Sequence, residues 1–322
     1  MKRLRLTLLP ILLAGLLFVG CENQLQAPEA MTLQAKNAVE VLPAGAQFVS
    51  MVDLQALHTN PVLDPFSDDG LSGEFGARVQ EFLDATGFDP ANDLHEVYVA
   101  SPERGSNAQP SIVAYASYDR ERLQDYVDQR LGETFERGDY KGVPIYRAQE
   151  DGESVAFALA SDNMIVASPD EASVEAMLDR LSGAGRALKD DAETMDLITL
   201  ASSGSTAWAV FCDFDELNTE DIKEEDALGR DMKQIGRALK DVAISVSMQE
   251  DGVEGTVFMH TKEGVSASDV ADLTKGVVAL MKADSDMDDE KLRMLDRVKV
   301  RTRDDHVQVA FFADNAVLKS SE

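Results

Sequence analysis

The sequence predicts an α+β protein, mostly antiparallel in its sheets and built as two tandem units. Three observations carry that prediction. Short apolar runs with period-two alternation recur along the chain, as half-buried strands require. Between them lie segments with apolar residues at helical spacing, several with recognisable caps. Finally, Phe48-Val49-Ser50-Met51-Val52-Asp53-Leu54 lines up with Trp208-Ala209-Val210-Phe211-Cys212-Asp213-Phe214. Each is an apolar strand that meets an aspartate and turns toward a helix.

The folded part is expected to begin at Leu42-Pro43-Ala44-Gly45, with a first unit over 42–200 and a second over 201–322. After the first strand of each come helices at 74–86 and 226–239. Two strands follow in each unit: 95–100 with 111–117, and 242–248 with 253–261. Asp251-Gly252 between alternating runs is a strong hairpin signal. A further helix comes next, at 120–131 with Leu123, Tyr126, Val127 and Leu131 on one face. Its counterpart opens on Ser266-Ala267-Ser268-Asp269, which has the form of a capping box. Val270, Leu273, Val277 and Met281 make its apolar stripe. A last hairpin closes each unit, 143–149 with 154–160 and 298–303 with 306–312. The first unit adds a strand at 164–167 and a helix opened by Ser168-Pro169-Asp170-Glu171, read as N-cap, proline at N1 and boxing acid. Val174, Met177, Leu178 and Leu181 fall at i, i+3, i+4 and i+7, and Gly183 stops it. The order β-α-β-β-α-β in each half is that of a ferredoxin-like split βαβ unit with an added β-hairpin.

Charge narrows the partners. The chain holds 30 basic and 59 acidic side chains, a net −29, with the acids spread along its length. Such a surface repels nucleic acid and anionic headgroups, which excludes a direct polyanion partner. An even excess of this kind suits a halophilic setting, where concentrated salt shortens the Debye length to about 3 Å and screens self-repulsion.

The first 21 residues set the location. Lys2, Arg3 and Arg5 precede an apolar run over 6–19, and Phe18-Val19-Gly20-Cys21 closes it. This is the pattern of a secretory signal peptide over residues 1–20. Its length of 14 residues falls short of the roughly 20 that a spanning helix needs. The closing tetrapeptide resembles the lipobox of bacterial lipoproteins, with Phe18 where leucine is usual. The resemblance implies cleavage before Cys21 and acylation of its thiol, which anchors the chain to a membrane. Glu22 stands where inner-membrane retention would place an aspartate, so it further implies the outer membrane, facing the periplasm, in a Gram-negative cell. Cleavage would remove three cations and take the net charge to −32. Residues 21–41 are polar and rich in Gln and Ala, and read as a tether that turns helical near Met31–Val39. The Leu42-Pro43-Ala44 opening and Gly142-Val143-Pro144-Ile145-Tyr146 resemble an uncharacterised family of bacterial envelope proteins, which implies a fold and no activity.

Motifs for chemistry are sparse. With Cys21 acylated, Cys212 has no partner for a disulfide and reads as a small core residue. His58, His95, His260 and His306 sit on different predicted elements, none within helical or strand reach of another. The sequence has no H-E-x-x-H, no G-x-S-x-G and no phosphate-cradling glycine loop. Asp284, Asp286 and Asp288 begin like a calcium loop. Asp289 stands where that loop needs glycine, and Leu295 where it needs glutamate, so they read as a solvated acidic linker and only weak metal candidates. Asp213 and Asp215, two apart, offer paired carboxylates, but Asp213 with Glu216 three residues on reads as a helix cap. No catalytic residue and no cofactor is assigned. The sequence thus points to a non-enzymatic binding or assembly protein of the cell envelope, held by the lipid on Cys21, with other envelope proteins as its partners. The alternative is a hydrolase or carbohydrate-active enzyme using carboxylates at the junction of the two units.

Overall fold

The computed structural model describes residues 31–59, 73–102, 109–132, 134–150, 153–213, 227–283, 292–293, 295–303 and 305–320. The signal segment, Cys21, Asp215 and the acidic run at 284–288 lie outside them. Contacts divide the chain into two compact units, Ala30–Asp196 and Leu197–Glu322, and each contributes antiparallel strands and helices.

The first unit opens with helix α1 (Leu33–Val41) and continues with β1 (Phe48–Asp53), α2 (Leu54–His58), α3 (Gly73–Thr86) and α4 (Pro90–Asp93). Strands β2 (Leu94–Ser101) and β3 (Ser111–Ala116), helix α5 (Arg120–Asp128) and strands β4 (Phe135–Tyr140), β5 (Val143–Glu150), β6 (Glu153–Leu159) and β7 (Met164–Ser168) come next. Helix α6 (Glu171–Leu181) lies over β6 and β7. The neighbours run β1-β2-β3-β7-β6-β5-β4. Alternation sets the buried face: Val49, Met51, Tyr98, Val113, Tyr115 and Val166 are all buried at period two. Helix α7 (Ala192–Ser202) spans the division at Asp196.

In the second unit β8 (Ala207–Phe211), α8 (Ala227–Ala238), β9 (Leu239–Gln249), β10 (Gly252–Thr261), α9 (Ala267–Lys282), β11 (Lys299–Arg303), β12 (His306–Asp314) and α10 (Asn315–Ser320) follow in order. The neighbours run β8-β9-β10-β12-β11. One core cluster joins Leu239, Val242, Val257, Met259, Val270, Ala271, Val307, Val309 and Phe311. It packs the stripe of α9 on alternate residues of three strands.

Within each unit the same neighbour order recurs: three strands in succession, a helix, then a returning strand beside the third. The expectation of split βαβ units rests on element order alone, and the neighbours do not follow it. In that pattern the first strand lies beside the third. Here β1 pairs with β2, and β8 with β9, both antiparallel. The connections 54–93 and 212–238 are long enough for either pairing, so element order and loop length alone do not choose between the two patterns.

Local differences have simple causes. The helix expected near 31–39 forms at Leu33–Val41 but belongs to the fold and not to the tether: Ala35, Ala38, Val39 and Val41 are buried, and Thr32 caps the helix by accepting from the N–H of Ala35 at 3.0 Å. The N-cap of α6 is Asp170, not Ser168, with Asp170 Oδ2 accepting from the N–H of Ser173 at 3.0 Å. A carboxylate is the stronger acceptor for a helix N-terminus. Val174, Met177 and Leu178 are buried as the spacing predicts, whereas Leu181 is exposed. Ser266 caps α9, accepting from the N–H of Asp269 at 3.3 Å. Asp53 caps α2 through the N–H of Ala56 at 2.9 Å. Cys212 is half-buried.

Candidate functional site

Two rows of polar groups cross the sheets, one in each unit, at corresponding places. In the first unit Asp53, Glu96 and Tyr115 stand opposite one another on β1, β2 and β3. Residues directly opposite share a face, so these three side chains lie side by side. The hydroxyl of Tyr98 donates to Glu96 Oε2 at 2.5 Å, and its ring meets that of Tyr115 edge-on, centroids 6.0 Å apart. Burial pushes the Glu96 carboxyl above its usual range, against the pull of the Tyr98 hydroxyl, and Asp53 adds repulsion. Burial raises both tyrosine hydroxyls as well.

A carboxyl raised on folding binds its proton more tightly in the native state. Its ionisation therefore opposes folding, and stability is lost as pH rises from the unfolded value, about 4.3, through the higher folded one. Glu96→Gln should remove that loss. The variant is expected to be more stable than the parent at pH 7, with the difference fading by pH 4. Urea melts at both values check it, and equal stability at pH 7 would mean the carboxylate is well solvated.

In the second unit the row is Asp241 on β9, His260 on β10 and His306 on β12, with Asp241 opposite His260 and His260 opposite His306. Asp213, the counterpart of Asp53, donates its backbone N–H to Asp241 Oδ1 at 3.0 Å. Asp213 holds a left-handed backbone, φ 51°, which aspartate tolerates better than most residues. The helix that it was expected to cap lies outside the described residues. Asp241 is buried, Lys240 Nζ lies 3.9 Å from its Oδ2, and no hydrogen bond reaches that oxygen among the described residues. Burial raises the Asp241 carboxyl and lowers the His260 imidazole.

The rings of His260 and His306 have centroids 5.3 Å apart and planes 35° apart. Asp305 stands beside them, its Oδ1 3.4 Å from His306 Nδ1. One ligating atom from each of His260, Asp305 and His306 falls within 4.8 Å of the others. The view that no histidine is in strand reach of another is thereby corrected. Forty-five residues lie between the two in sequence, and only the β10–β12 register brings them opposite. The available signal was that each histidine ends a strand of alternating apolar residues, at opposite ends of its strand.

The other histidines do not join. His95 Nε2 lies 2.9 Å from Ser117 Oγ at the exposed surface, beside a depression of about 460 Å³ lined by Phe88, Asp93, Asp119 and Arg122. Asp119 there caps α5 and pairs with Arg122 at 3.5 Å, while Asp93 accepts from the N–H of Asp89 at 2.7 Å. Those carboxylates hold the local backbone. A second depression of about 460 Å³ is crossed by the Arg147–Glu171 pair at 2.6 Å. In the second unit an open hollow of about 540 Å³ between α9 and β11 sets Lys275, Lys282, Lys299 and Arg301 around Val278 and Val298. Lys275 is paired to Asp272 at 2.9 Å and Lys282 to Asp296 at 3.1 Å.

A family model described as "Protein of unknown function (DUF3352)" matches residues 99–295, more than half of the chain. The chain belongs to that family. The match takes in Asp241 and His260 and stops before Asp305 and His306, so the full histidine row is a feature of this DUF3352 chain beyond the matched span. No curated protein matches the chain. Among solved structures, crystal form III of TP0453 aligns at 12% identity with a TM-score of 0.53, covering 88% of this chain and 96% of that one. Crystal form IV of TP0453 gives 11% identity and a TM-score of 0.50 over 88% and 96%. At such identities the likeness is one of fold: a mixed α+β chain with antiparallel sheet. No helix among the described residues is long and apolar enough to cross a membrane.

Proposed function

We propose that this DUF3352 protein is a lipid-anchored lipoprotein of the cell envelope that binds or assembles other envelope components and catalyses no reaction of its own. The observation that carries the reading is Phe18-Val19-Gly20-Cys21 at the end of a short apolar segment. Acyl chains on Cys21 contribute about 0.8 kcal/mol per buried methylene, so two or more hold a protein on its membrane. Glu22 favours the outer membrane, on its periplasmic side, if the cell is Gram-negative. Because α1 begins at Leu33 under a Thr32 cap, only the ten residues from Glu22 to Met31 separate the anchor from the fold. Fully extended they reach at most about 36 Å. The first unit would therefore work close to the membrane surface, on partners within the envelope, and the net −29 keeps nucleic acid from being one.

Cys21→Ser should leave a precursor 20 residues longer, carrying no label from a palmitate analogue fed to the cells. Undiminished label on the variant would remove the lipoprotein reading. Crosslinking in native membranes followed by isolation of the chain is expected to return partners only when Cys21 is intact.

A further inference from the structure

We propose that His260, Asp305 and His306 form a binding site for a single divalent transition-metal ion, zinc in character, at the end of the β10–β12 ladder. The proposal stands on geometry within the second unit and does not depend on the anchor.

Two features fix the site. The first is the register. His260 and His306 are directly opposite on paired antiparallel strands, so both rings leave the same face of the sheet from neighbouring backbone positions. His306 is largely buried, its side chain 12% exposed, which limits the ring to few orientations. The second is the backbone clamp on Asp305. Its carbonyl accepts from both the N–H and the hydroxyl of Thr261, each at 3.2 Å. The Thr261 hydroxyl also lies 3.1 Å from the carbonyl of Val265. Thr261 follows His260, so the clamp ties the carboxylate-bearing turn to the strand that carries the first imidazole. The Asp305 side chain itself remains 77% exposed and can turn inward.

The three ligating atoms already lie within 4.8 Å of one another. A tetrahedral zinc ion with bonds of about 2.0–2.1 Å holds its ligands about 3.3 Å apart. Closing that difference needs rotation of the exposed Asp305 side chain and a small tilt of the rings, with no movement of the strands. Donor type selects the ion. Two imidazole nitrogens and one carboxylate oxygen suit zinc and its first-row neighbours, whereas calcium and magnesium take oxygen ligands almost throughout. Charge agrees with this choice. Asp305 brings one negative charge to the ion, and the buried Asp241 lies opposite His260 on the neighbouring strand β9. Three protein ligands leave the fourth position of a tetrahedron open to water or to a donor from a partner.

The test uses the full chain in detergent, stripped of metal by a chelator and titrated with zinc chloride in excess magnesium. The magnesium occupies the many exposed carboxylates that would otherwise take up zinc without selectivity. One zinc ion per chain is expected, with a rise in melting temperature as the site fills. His260→Gln and His306→Gln should each weaken the site by at least about 100-fold, beyond the 10–100-fold that loss of a mere supporting group gives. Asp284→Asn should leave it unchanged. Zinc binding that magnesium abolishes, or that both histidine variants retain, would overturn the proposal. Should those variants fail to fold, the parent chain decides the matter alone. Its cobalt complex is expected to show intense tetrahedral visible bands with nitrogen ligation, and weak octahedral bands would refute the site.

Discussion

Gly255→Ala should destabilise the second unit by about 2–3 kcal/mol, the upper range for overpacking in a filled core. Gly255 stands opposite Phe311 across the β10–β12 ladder, and the tip of the Phe311 ring occupies the space beside it. A Cβ at this position would fall 1.8 Å from the ring's Cζ and 2.3 Å from its Cε1. The ring cannot swing clear at low cost, because Phe311 is buried in the cluster that includes Val257, Met259, Val270 and Val309. Phe311→Leu alone should also destabilise, by leaving a void. Combined with Gly255→Ala, however, it should cost clearly less than the sum of the two single changes, because the smaller side chain admits the new methyl. Coupling of that sign, 0.5 kcal/mol or more, is what residues in contact show. The chain's one tryptophan, Trp208, is buried on β8 in the same unit. Its fluorescence in urea therefore follows the affected unit directly. Strictly additive losses would mean that the ring does not cover the glycine.

Much of this architecture was legible because burial imposes its period on the sequence. The ladder β9–β10 follows from Asp251-Gly252 between alternating runs, and the pairing Gly252 with Gln249 is that hairpin. The stripe on α9 follows from Val270 and Val277, and its start from Ser266. What escaped notice lacked such a signal. Strand β4 reads Phe-Glu-Arg-Gly-Asp-Tyr and lies at a sheet edge with none of its residues buried, so no apolar alternation marks it. Its hairpin to β5 turns on Lys141 and Gly142, both with positive φ, 54° and 85°. That is the two-residue turn hairpins favour, written with lysine where asparagine or aspartate would have announced it. Cross-strand charge replaces the missing apolar pair there, with Glu136 opposite Arg147 at 3.4 Å. The histidine site was hidden for a different reason. Which residues face each other across β10 and β12 depends on register, and register between strands separated by a 16-residue helix is not written locally. The neighbour order was hidden likewise, since a meander and a split βαβ unit can share one element order.

Ala38→Glu should cost the first unit more than about 3 kcal/mol, by overpacking and by burying a charge without a partner. Ala35, Ala38, Val39 and Leu42 fall at i, i+3, i+4 and i+7, and all are buried, with Ala38 fully enclosed. This face of α1 packs against α6 and the 3-10 turn at Leu188–Asp190. The helix end is fastened as well. Arg180 Nε donates to the carbonyl of Val41 at 2.6 Å, and the N–H of Leu188 to the carbonyl of Leu42 at 2.8 Å. Lys189 adds a half-exposed pair with Glu40 at 3.0 Å, worth at most about 1 kcal/mol. Glutamate at position 38 has neither room nor a cation within this face, because Arg180 is already engaged and Lys189 lies at the helix end. Leu33→Glu is the control: that side chain is 73% exposed, and the change should stay within about 0.5 kcal/mol. Amide hydrogen exchange read by mass spectrometry localises the effect. In the parent, 33–41 and 178–190 should be protected together, and in Ala38→Glu both should exchange faster while the control matches the parent. If Ala38→Glu behaved as Leu33→Glu does, residues 33–41 would belong to the tether after all. The fold would then stand up to about 32 Å farther from an anchor on Cys21.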